Sequence, residues 1–401
     1  MGMQPKLRFK GFTDDWEKRK LESIFKERTE RSSEGTMLSV TINDGVVLAN
    51  SLSRKNVSSS DKSNYKLVRK DDIAYNSMRM WQSASGVSNY EGIVSPAYTV
   101  LIPEHDVNSS FFGYYFKRTV MKQVFQKNSQ GLTSDTWNLK YPLLKNIVVQ
   151  IPSIEEQIKI SEFLKQVDKL IAVNQRKVDL LKKKKAGYLQ KLFPRNGQNK
   201  PELRFKGYTD AWEKRKLGDV SSSFEYGLNA ASKKFDGKHK YIRITDIDDE
   251  THLFSKSNLT SPDINLDKAI EYMLRPNDIL FARTGASVGK TYKYIQTDGE
   301  VYFAGFLIRA TISKDNDVDF IYQHTLTNKY KNFIKVTSQR SGQPGVNAKE
   351  FRTFEIMIPK HDEQQKVGDL LKTFDQLITV NQRKVDLLKK EKKSLLQKMF
   401  V

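Results

Sequence analysis

The sequence predicts an α/β protein of the α+β kind: two mixed α/β domains, each followed by a long helix, with the two helices pairing as a coiled coil. Three observations predict it: a leading motif that occurs twice, a heptad-patterned helix that occurs twice, and two dissimilar β-rich segments between them. Self-similarity at a fixed spacing is the signature of a duplicated architecture, so each half of the chain is expected to repeat the same layout.

The composition favours a soluble protein with a polyanionic partner. The 401 residues suit two or three domains, and a hydrophobic content of 38% is enough for ordinary cores. The formal net charge is +21, and each Lys or Arg that neutralises a phosphate releases condensed counterions; solvated Lys-rich helices are the alternative source of this charge. The absence of cysteine excludes disulfides and thiolate–zinc sites. Without a recognisable secretory or membrane-spanning segment, a cytoplasmic protein is expected.

A leading motif opens each half of the chain. Residues 5–21 read PKLRFKGFTDDWEKRKL, and residues 201–217 read PELRFKGYTDAWEKRKL. The Pro-, Gly- and Asn-containing stretch before the second copy breaks a helix and marks a linker. The predicted layout is a first domain at 1–150, a first long helix at 151–193, a linker at 194–200, a second domain at 201–357 and a second long helix at 358–401.

The repeated helices share a heptad seam. Their common core, VNQRKVDLLKK, occurs unchanged at 173–183 and 380–390. Apolar residues alternate at spacings of three and four, which predicts a coiled coil. Both copies also place one Asn and one Lys in the seam, and a polar seam residue fixes register. The seam positions are Leu164, Val167, Ile171, Asn174, Val178 and Leu181, continuing to Lys185, Tyr188 and Leu192, and Leu371, Phe374, Ile378, Asn381, Val385 and Leu388, continuing to Lys392, Leu395 and Met399.

Two packing arrangements satisfy this pattern. The matching polar positions favour helices that pack on each other, and the alternative is two separate amphipathic helices, each packed on its own domain. A helix of some 38 residues is roughly 57 Å long, so a pair of them would make a rigid spacer.

The variable segments, about 22–150 and 218–357, contain short β-rich runs, Gly/Ser/Asn turns and helical stretches at 111–126 and 320–335. In the second, Arg283–Thr291 looks at first like a phosphate-binding P-loop. That motif requires four residues between its glycines, and only three separate Gly285 from Gly289. A Gly-rich loop between two strands fits close approach to DNA better, with an ordinary hairpin loop as the alternative.

Candidate DNA-contacting residues come from this loop, from a second loop at 338–347, and from the places in the first domain that match them. Arg and Gln supply bidentate partners for guanine and adenine edges. Residues 76–82 take the place of the loop at 282–288, and residues 129–135 take that of 338–347. The candidates are Asn76, Ser77, Arg79, Gln82, Thr133 and Ser134 in the first domain, and Arg243, Arg283, Thr284, Gly285, Ser287, Lys290, Arg340, Gln343 and Asn347 in the second.

No catalytic or metal-binding motif is recognisable in the sequence. The five histidines are scattered without ligand spacing. Neither an Asn-Pro-Pro-aromatic nor an Asp-Pro-Pro-aromatic tetrapeptide of the aminomethyltransferase type occurs, and no nucleophile elbow is present. A non-catalytic chain is therefore expected, with no cofactor of its own and with chemistry supplied by partners.

The whole chain resembles the specificity subunits of type I restriction–modification systems. The resemblance rests on the duplicated layout, the repeated Trp-Glu-x-x-x-Leu (Trp16–Leu21 and Trp212–Leu217), the helix starts with Ile-Pro followed by Glu-Gln at 151–157 and 358–364, and the TGASVGK loop at 284–290. The first domain departs from the family loop pattern, with Ser-Met-Arg-Met-Trp at 77–81.

The resemblance implies that each domain is a target-recognition domain reading one half of a split double-stranded DNA site. It implies that the helices pair antiparallel with pseudo-two-fold symmetry. The core would dock two methyltransferase subunits that bind S-adenosylmethionine and methylate adenine, joined by restriction subunits that use ATP and Mg²⁺. The alternatives are a DNA-binding scaffold or regulator outside restriction, and an enzyme with an unrecognised active site.

Overall fold

The computed structural model describes residues 4–52, 61–339 and 342–401. The chain divides into two structural units. Unit 1 is formed by residues up to Val173 together with Val385–Val401, and unit 2 by Asn174–Lys384. Each unit therefore contains one variable segment, the first half of the long helix that follows it, and the last half of the other long helix.

In the described part of unit 1 the strands are β1 (Glu17–Lys20), β2 (Phe25–Glu27), β3 (Leu38–Thr41), β4 (Gly45–Leu48), β5 (Lys66–Val68), β6 (Ile73–Asn76), β7 (Ser85–Val87), β8 (Gly92–Val94), β9 (Tyr98–Pro103) and β10 (Val148–Ile151). Its helices are α1 (Ser109–Tyr115), α2 (Thr119–Asn128), α3 (Tyr141–Leu144) and the start of α4 (Ile154–Lys191), and it also holds the last turns of the second long helix.

In the described part of unit 2 the strands are β11 (Glu213–Lys216), β12 (Ser221–Tyr226), β13 (Ser232–Lys234), β14 (Lys240–Ile242), β15 (Thr260–Pro262), β16 (Asp278–Ala282), β17 (Thr291–Lys293), β18 (Val301–Phe303), β19 (Leu307–Ile312) and β20 (Glu355–Ile358). Its helices are the second half of α4, α5 (Val318–His324), α6 (Asn328–Thr337), α7 (Ala348–Arg352) and the start of α8 (His361–Lys398).

The two units repeat one plan. A four-stranded antiparallel sheet has the order β2-β9-β6-β7 in unit 1 and β12-β19-β16-β17 in unit 2. A separate antiparallel pair, β1–β10 or β11–β20, joins the leading motif to the strand just before the long helix. The mixed α/β class predicted from the sequence is confirmed, with two domains of one topology on dissimilar sequences.

In both units, the leading motif closes the domain: its arginine is hydrogen-bonded to a glutamate in the first turn of the long helix. In unit 1, Arg8 donates to both carboxylate oxygens of Glu156 at 2.8 Å. In unit 2, Arg204 donates to both of Glu363 at 2.7 and 2.8 Å. Both glutamates are buried, and a paired, hydrogen-bonded charge is the form in which a carboxylate tolerates burial.

The buried Gln beside each of these glutamates ties down the loop before the first short helix. Gln157 accepts from the backbone N–H of Asn108 at 3.0 Å, and Gln364 accepts from that of Asp317 at 3.1 Å. Trp16 and Trp212 fill the two cores, with 4% and 3% of their surface exposed. The repeated Trp, Glu and Gln are therefore structural residues.

Removing one partner of such a pair is expected to be costly. Glu363→Ala leaves the Arg204 guanidinium, which is 13% exposed, without its carboxylate, so the free energy of unfolding should fall by about 3–5 kcal/mol. The matched control is Glu355→Ala, which breaks the exposed pair with Lys214 and should cost about 0–1 kcal/mol. Urea unfolding measures both, and equal losses would contradict the assignment of Glu363 as a closing residue.

Element boundaries differ from the prediction in two ways. The long helices begin at Ile154 and His361, three residues later than predicted, because Ile151 and Ile358 end strands that pair with Glu17 and Glu213. The helical stretches expected at 111–126 and 320–335 are each divided into two helices.

A tertiary contact or a local cap explains each division. In unit 2 the hydroxyl of Thr327 caps α6 by accepting from the N–H of Tyr330 at 3.3 Å. In unit 1, Arg118 is extended at the break, and its guanidinium lies 4.9 Å from the Tyr115 ring and 5.2 Å from that of Phe400.

The long helices pair within each unit. In unit 1, Asp168 of α4 forms an ion pair with Lys392 of α8 at 2.5 Å. In unit 2, Lys185 of α4 forms an ion pair with Asp375 of α8 at 2.6 Å. Within unit 2, the ring of Tyr188 also packs on that of Phe374 at 5.2 Å. Moving forward along α4 from 185 to 188, the partners run backward along α8 from 375 to 374, so the helices are antiparallel there.

Every predicted seam position is buried or partly buried. Two of the polar ones are satisfied in different ways: Asn381 donates to the carbonyl of Leu377 in its own helix at 2.7 Å, whereas Lys185 pairs across the seam. Burial lowers the pKa of Lys185, and Asp375 opposes that shift.

Candidate nucleic-acid interface

The two loops predicted in the second domain lie side by side. Residues 283–290 connect β16 to β17, and residues 342–347 run beside them before α7. The N–H of Val346 donates to the carbonyl of Arg283, and that of Gly285 to Pro344, both at 2.9 Å. We call residues 283–290 and 342–347 reader surface 2.

Glycine is required at two places on this surface. Gly285 has φ +69°, and a Cβ there would lie 2.9 Å from the Nε2 of Gln343. Gly289 has φ +82°, and a Cβ there would lie 2.7 Å from Ile334. The glycine pattern that resembles a P-loop therefore serves positive φ values and close packing of the hairpin on its neighbours.

Arg283 is held in place at the base of reader surface 2. Its Nε donates to the carbonyl of Gly305 at 3.0 Å. Its guanidinium lies 5.3 Å from the ring of Tyr226 and 5.7 Å from that of Phe306. These are cation–π distances, and both rings are substantially exposed, at 47% and 57%. This aromatic clamp holds a side chain that is itself partly exposed.

The other predicted residues of the second domain have different surroundings. Lys290 forms an ion pair with Asp249. Arg243 donates twice to Asp246, at 2.9 and 3.0 Å, and this hydrogen bonding raises the pKa of its guanidinium. The side chain of Asn347 caps α7 by accepting from the N–H of Glu350. Gln343 is exposed, Thr284 and Ser287 are partly exposed, and Arg340 lies outside the described residues.

The first domain brings its two predicted loops together in the same way. The N–H of Leu139 donates to the carbonyl of Ser77 at 2.9 Å, which is the counterpart of the bond between Val346 and Arg283. The rings of Trp81 and Trp137 pack edge to face at 5.2 Å. We call residues 76–82 and 130–138 reader surface 1, and its place in the sheet matches that of reader surface 2.

The side chains on reader surface 1 are different. Ser77, the counterpart of Arg283, is 5% exposed, and its hydroxyl is hydrogen-bonded to that of Thr99 at 2.9 Å. The structure therefore removes Ser77 from the exposed candidates. Asn76 caps its own turn by accepting from the N–H of Met78 at 3.0 Å. Arg79, Thr133 and Ser134 are exposed, and Gln82 is partly exposed.

Several exposed residues of these surfaces are not among the sequence candidates. On reader surface 1 they are Met78 and Leu132, at 47% and 102% exposure. Beside reader surface 2 they are Tyr226, Phe306 and Arg352, whose guanidinium lies 4.8 Å from the Phe224 ring. For Tyr226, a signal was present in the sequence. Aromatic residues alternate at 224 and 226 in β12, and alternate residues of a strand share a face.

The long helices present a second candidate surface in each unit. Helix patch 1, in unit 1, consists of Leu170, Val173 and Leu387; helix patch 2, in unit 2, consists of Leu377, Val380 and Leu180. These six side chains are between 44% and 62% exposed.

The two patches are equivalent by the repeat and by register. Val173 and Leu387 each lie five residues from the Asp168–Lys392 pair, and Leu180 and Val380 each lie five residues from the Lys185–Asp375 pair. Equivalent heptad positions of an antiparallel pair face the same side, so the three residues of each patch are expected on one side of the seam.

Two further observations concern the part of the chain that the structure describes. No group of three or more acidic or histidine side chains is placed there to hold a metal ion. None of its helices has both the length and the apolar character that crossing a bilayer would require.

Comparison with known proteins gives one consistent family. The family model described as "Type I restriction modification DNA specificity domain" matches residues 13–183 and 209–390. The MjaVIII specificity subunit of a type I restriction enzyme from Methanocaldococcus jannaschii is 21% identical over 340 residues, covering 82% of this chain and 78% of that protein. The MjaIX specificity subunit from the same organism is 24% identical over 313 residues, covering 75% and 70%.

Solved structures show the same fold. The crystal structure of a type I restriction–modification S subunit from M. genitalium has a TM-score of 0.66 at 16% identity, covering 100% of this chain and 99% of that chain. A chain from a study of complex assembly and conformational transition of the type I system has a TM-score of 0.52 at 15% identity, covering 96% and 97%.

Proposed function

This chain belongs to the specificity subunits of type I restriction–modification systems, and from that premise we propose that it reads a two-part DNA target and docks two copies of an adenine methyltransferase subunit. Each domain would read one half of the target. The helices would supply two equivalent docking sites, and the chain itself would perform no catalysis.

The observation that supports this proposal is the contrast between the reader surfaces and the helix patches. The reader surfaces occupy matching places in matching sheets, but they present different side chains. Four of the six residues of the helix patches lie in segments that are identical over eleven residues, 173–183 and 380–390, and the other two, Leu170 and Leu377, are leucine in both copies. Exposed positions are the least constrained by folding, so identical exposed residues favour the same partner binding twice.

DNA recognition would divide into two kinds of contact. Phosphate contacts from a chain of net charge +21 would position each domain without sequence preference. Side chains of reader surfaces 1 and 2 would contact base edges, and one good bidentate contact is worth about 1–3 kcal/mol of discrimination. Because both readers are in one chain, binding of the second half-site becomes effectively intramolecular.

Cofactors in this proposal belong to the partners. The methyltransferase subunits would bind S-adenosylmethionine, and restriction subunits joining the same core would use ATP and Mg²⁺. The chain's role would be to select where that chemistry acts.

Mapping of N6-methyladenine across the genome of the host, with and without this chain, tests the proposal. We expect one split motif to lose its methylation when the chain is removed and to regain it on complementation. The purified chain with S-adenosylmethionine should not methylate DNA, whereas its complex with the methyltransferase should. An unchanged methylation map would favour a DNA-binding scaffold outside restriction, and methylation by the chain alone would show it to be an enzyme.

A further inference from the structure

We propose that the second domain reads a guanine with Arg283, so the half-site that it recognises contains a G·C pair at one fixed position. The proposal deepens the proposed function and rests on it, since it assigns a base to one reader. Three features support it: the contacts that hold the Arg283 side chain, the two terminal nitrogens of its guanidinium, and the different residue at the equivalent position of the first domain.

The clamp fixes the plane of the guanidinium. Tyr226 and Phe306 lie within cation–π distance of it, and the bond from Nε to the carbonyl of Gly305 restricts its rotation. Tyr226 is itself fixed, because its hydroxyl accepts from the N–H of Ala348 at 3.3 Å. An arginine ordered before binding loses little conformational entropy when it forms its contact.

The free end of this guanidinium has the right chemistry for guanine. With Nε engaged by Gly305, the two terminal nitrogens remain, and they make no hydrogen bond with any residue in the described ranges. Two parallel N–H donors match the O6 and N7 acceptors of guanine in the major groove, whereas adenine presents a donor at the position of O6. The two terminal nitrogens of Arg283 therefore form a pair of donors suited to guanine.

Two other arginines of the second domain are engaged differently. Both donor contacts of Arg243 go to Asp246, so that side chain is neutralised within the domain. Arg352 stacks on Phe224 at the far end of α7 from Asn347. Arg283 is the arginine whose backbone joins the two loops of reader surface 2, through the bond from Val346.

The first domain has no equivalent reader at this place. Its counterpart, Ser77, is buried, and its hydroxyl is occupied by Thr99. The guanine requirement at this position is thus expected for the half-site of the second domain and not for that of the first.

The test uses the complex of the full chain with its methyltransferase and a duplex carrying the methylated motif. Each guanine in the half-site of the second domain is replaced singly by 7-deazaguanine, which pairs normally but lacks the N7 acceptor. We expect one position to weaken binding on the order of 10- to 100-fold. In an Arg283→Ala complex, binding should be weaker and the same replacement should have almost no further effect.

One variant separates the planar donor pair of Arg283 from its positive charge, and a second serves as a control. Arg283→Lys keeps the positive charge but loses the planar donor pair and much of the stacking, so it should retain the salt dependence and lose most of the sensitivity to 7-deazaguanine. The matched control is Arg215→Ala, which removes an exposed arginine paired with Glu213 outside reader surface 2 and should keep the full sensitivity. Thermal unfolding verifies that each variant is folded.

Two results would overturn the proposal: a half-site for the second domain that contains no G·C pair, or 7-deazaguanine sensitivity that persists in Arg283→Ala. Either could occur while exchange of a whole domain still changes one half of the motif, and the proposed function would then stand without this inference. If domain exchange itself left the motif unchanged, the proposed function would fail instead.

Discussion

Replacing Val173 and Leu387 together by aspartate is expected to reduce the number of methyltransferase subunits bound by this chain from two to one. Both side chains belong to helix patch 1 and are 56% exposed. Fully burying a Val or Leu side chain is worth about 1.5–3 kcal/mol. Losing two such contacts, with two charges placed in an apolar interface, should weaken that site at least on the order of 100-fold.

Helix patch 2 supplies the matched experiment. Leu180→Asp with Val380→Asp should likewise leave one subunit bound, and the four substitutions together should leave none. Exposed positions are suitable for this test, because surface substitutions change folding stability by only about 0.5 kcal/mol. Lys165→Asp, on α4 but about a third of a turn away from the patch, should still bind two.

Native mass spectrometry at submicromolar concentration distinguishes complexes with two, one and no methyltransferase subunits. If two subunits remained bound in the four-substitution variant, the helix patches would not be the docking sites. Loss of both subunits from a chain altered in one patch alone would instead indicate a single shared site.

The sequence predicted the structure best where a regular spacing of residues determines it. The alternation of three and four apolar positions predicted the seam that contains Leu164 and Leu371, both completely buried. The doubled Arg, Trp, Glu and Gln were recognisable as repeats in the sequence, but their role in closing each domain is visible only in the structure. The proposed equivalence of residues 76–82 and 282–288 agrees with the place of both segments in their sheets.

The sequence could not predict the surroundings of individual loop residues, because tertiary contacts determine them. The clamp around Arg283 comes from Tyr226 and Phe306, which lie far from it along the chain, and no local pattern brings the three together. Ser77 reads as an exposed loop residue until Thr99 of β9 is placed beside it. Each of these features depends on contacts remote in sequence, whereas intrinsic propensities act locally and are routinely overridden by such contacts.

Exchange of the first domain is the second change with a large expected effect. Residues 22–147 would be replaced by the corresponding segment of another specificity chain. These boundaries keep both β1 and β10, so the pairing of Lys20 with Val148 and the closing Arg8–Glu156 pair are preserved. The expected result is a functional complex, because the segment lies within unit 1 and helix patch 1 is untouched.

The recognised motif should change in one half only. Reader surface 1 would be replaced, while reader surface 2 and α8 would retain their own sequences. The reciprocal exchange of residues 218–354, which keeps β11 and β20, should change the other half. Methylation of the original motif should be lost completely in each case, since a mismatched base pair typically costs about 1–3 kcal/mol and a whole half-site contains several.

Single-molecule sequencing of methylated adenines in cells that carry the 22–147 exchange is the most direct test of two independent readers in one chain. We expect a new motif that retains one original half and the original gap and replaces the other half. A motif altered in both halves, or one identical to the original, would contradict the account.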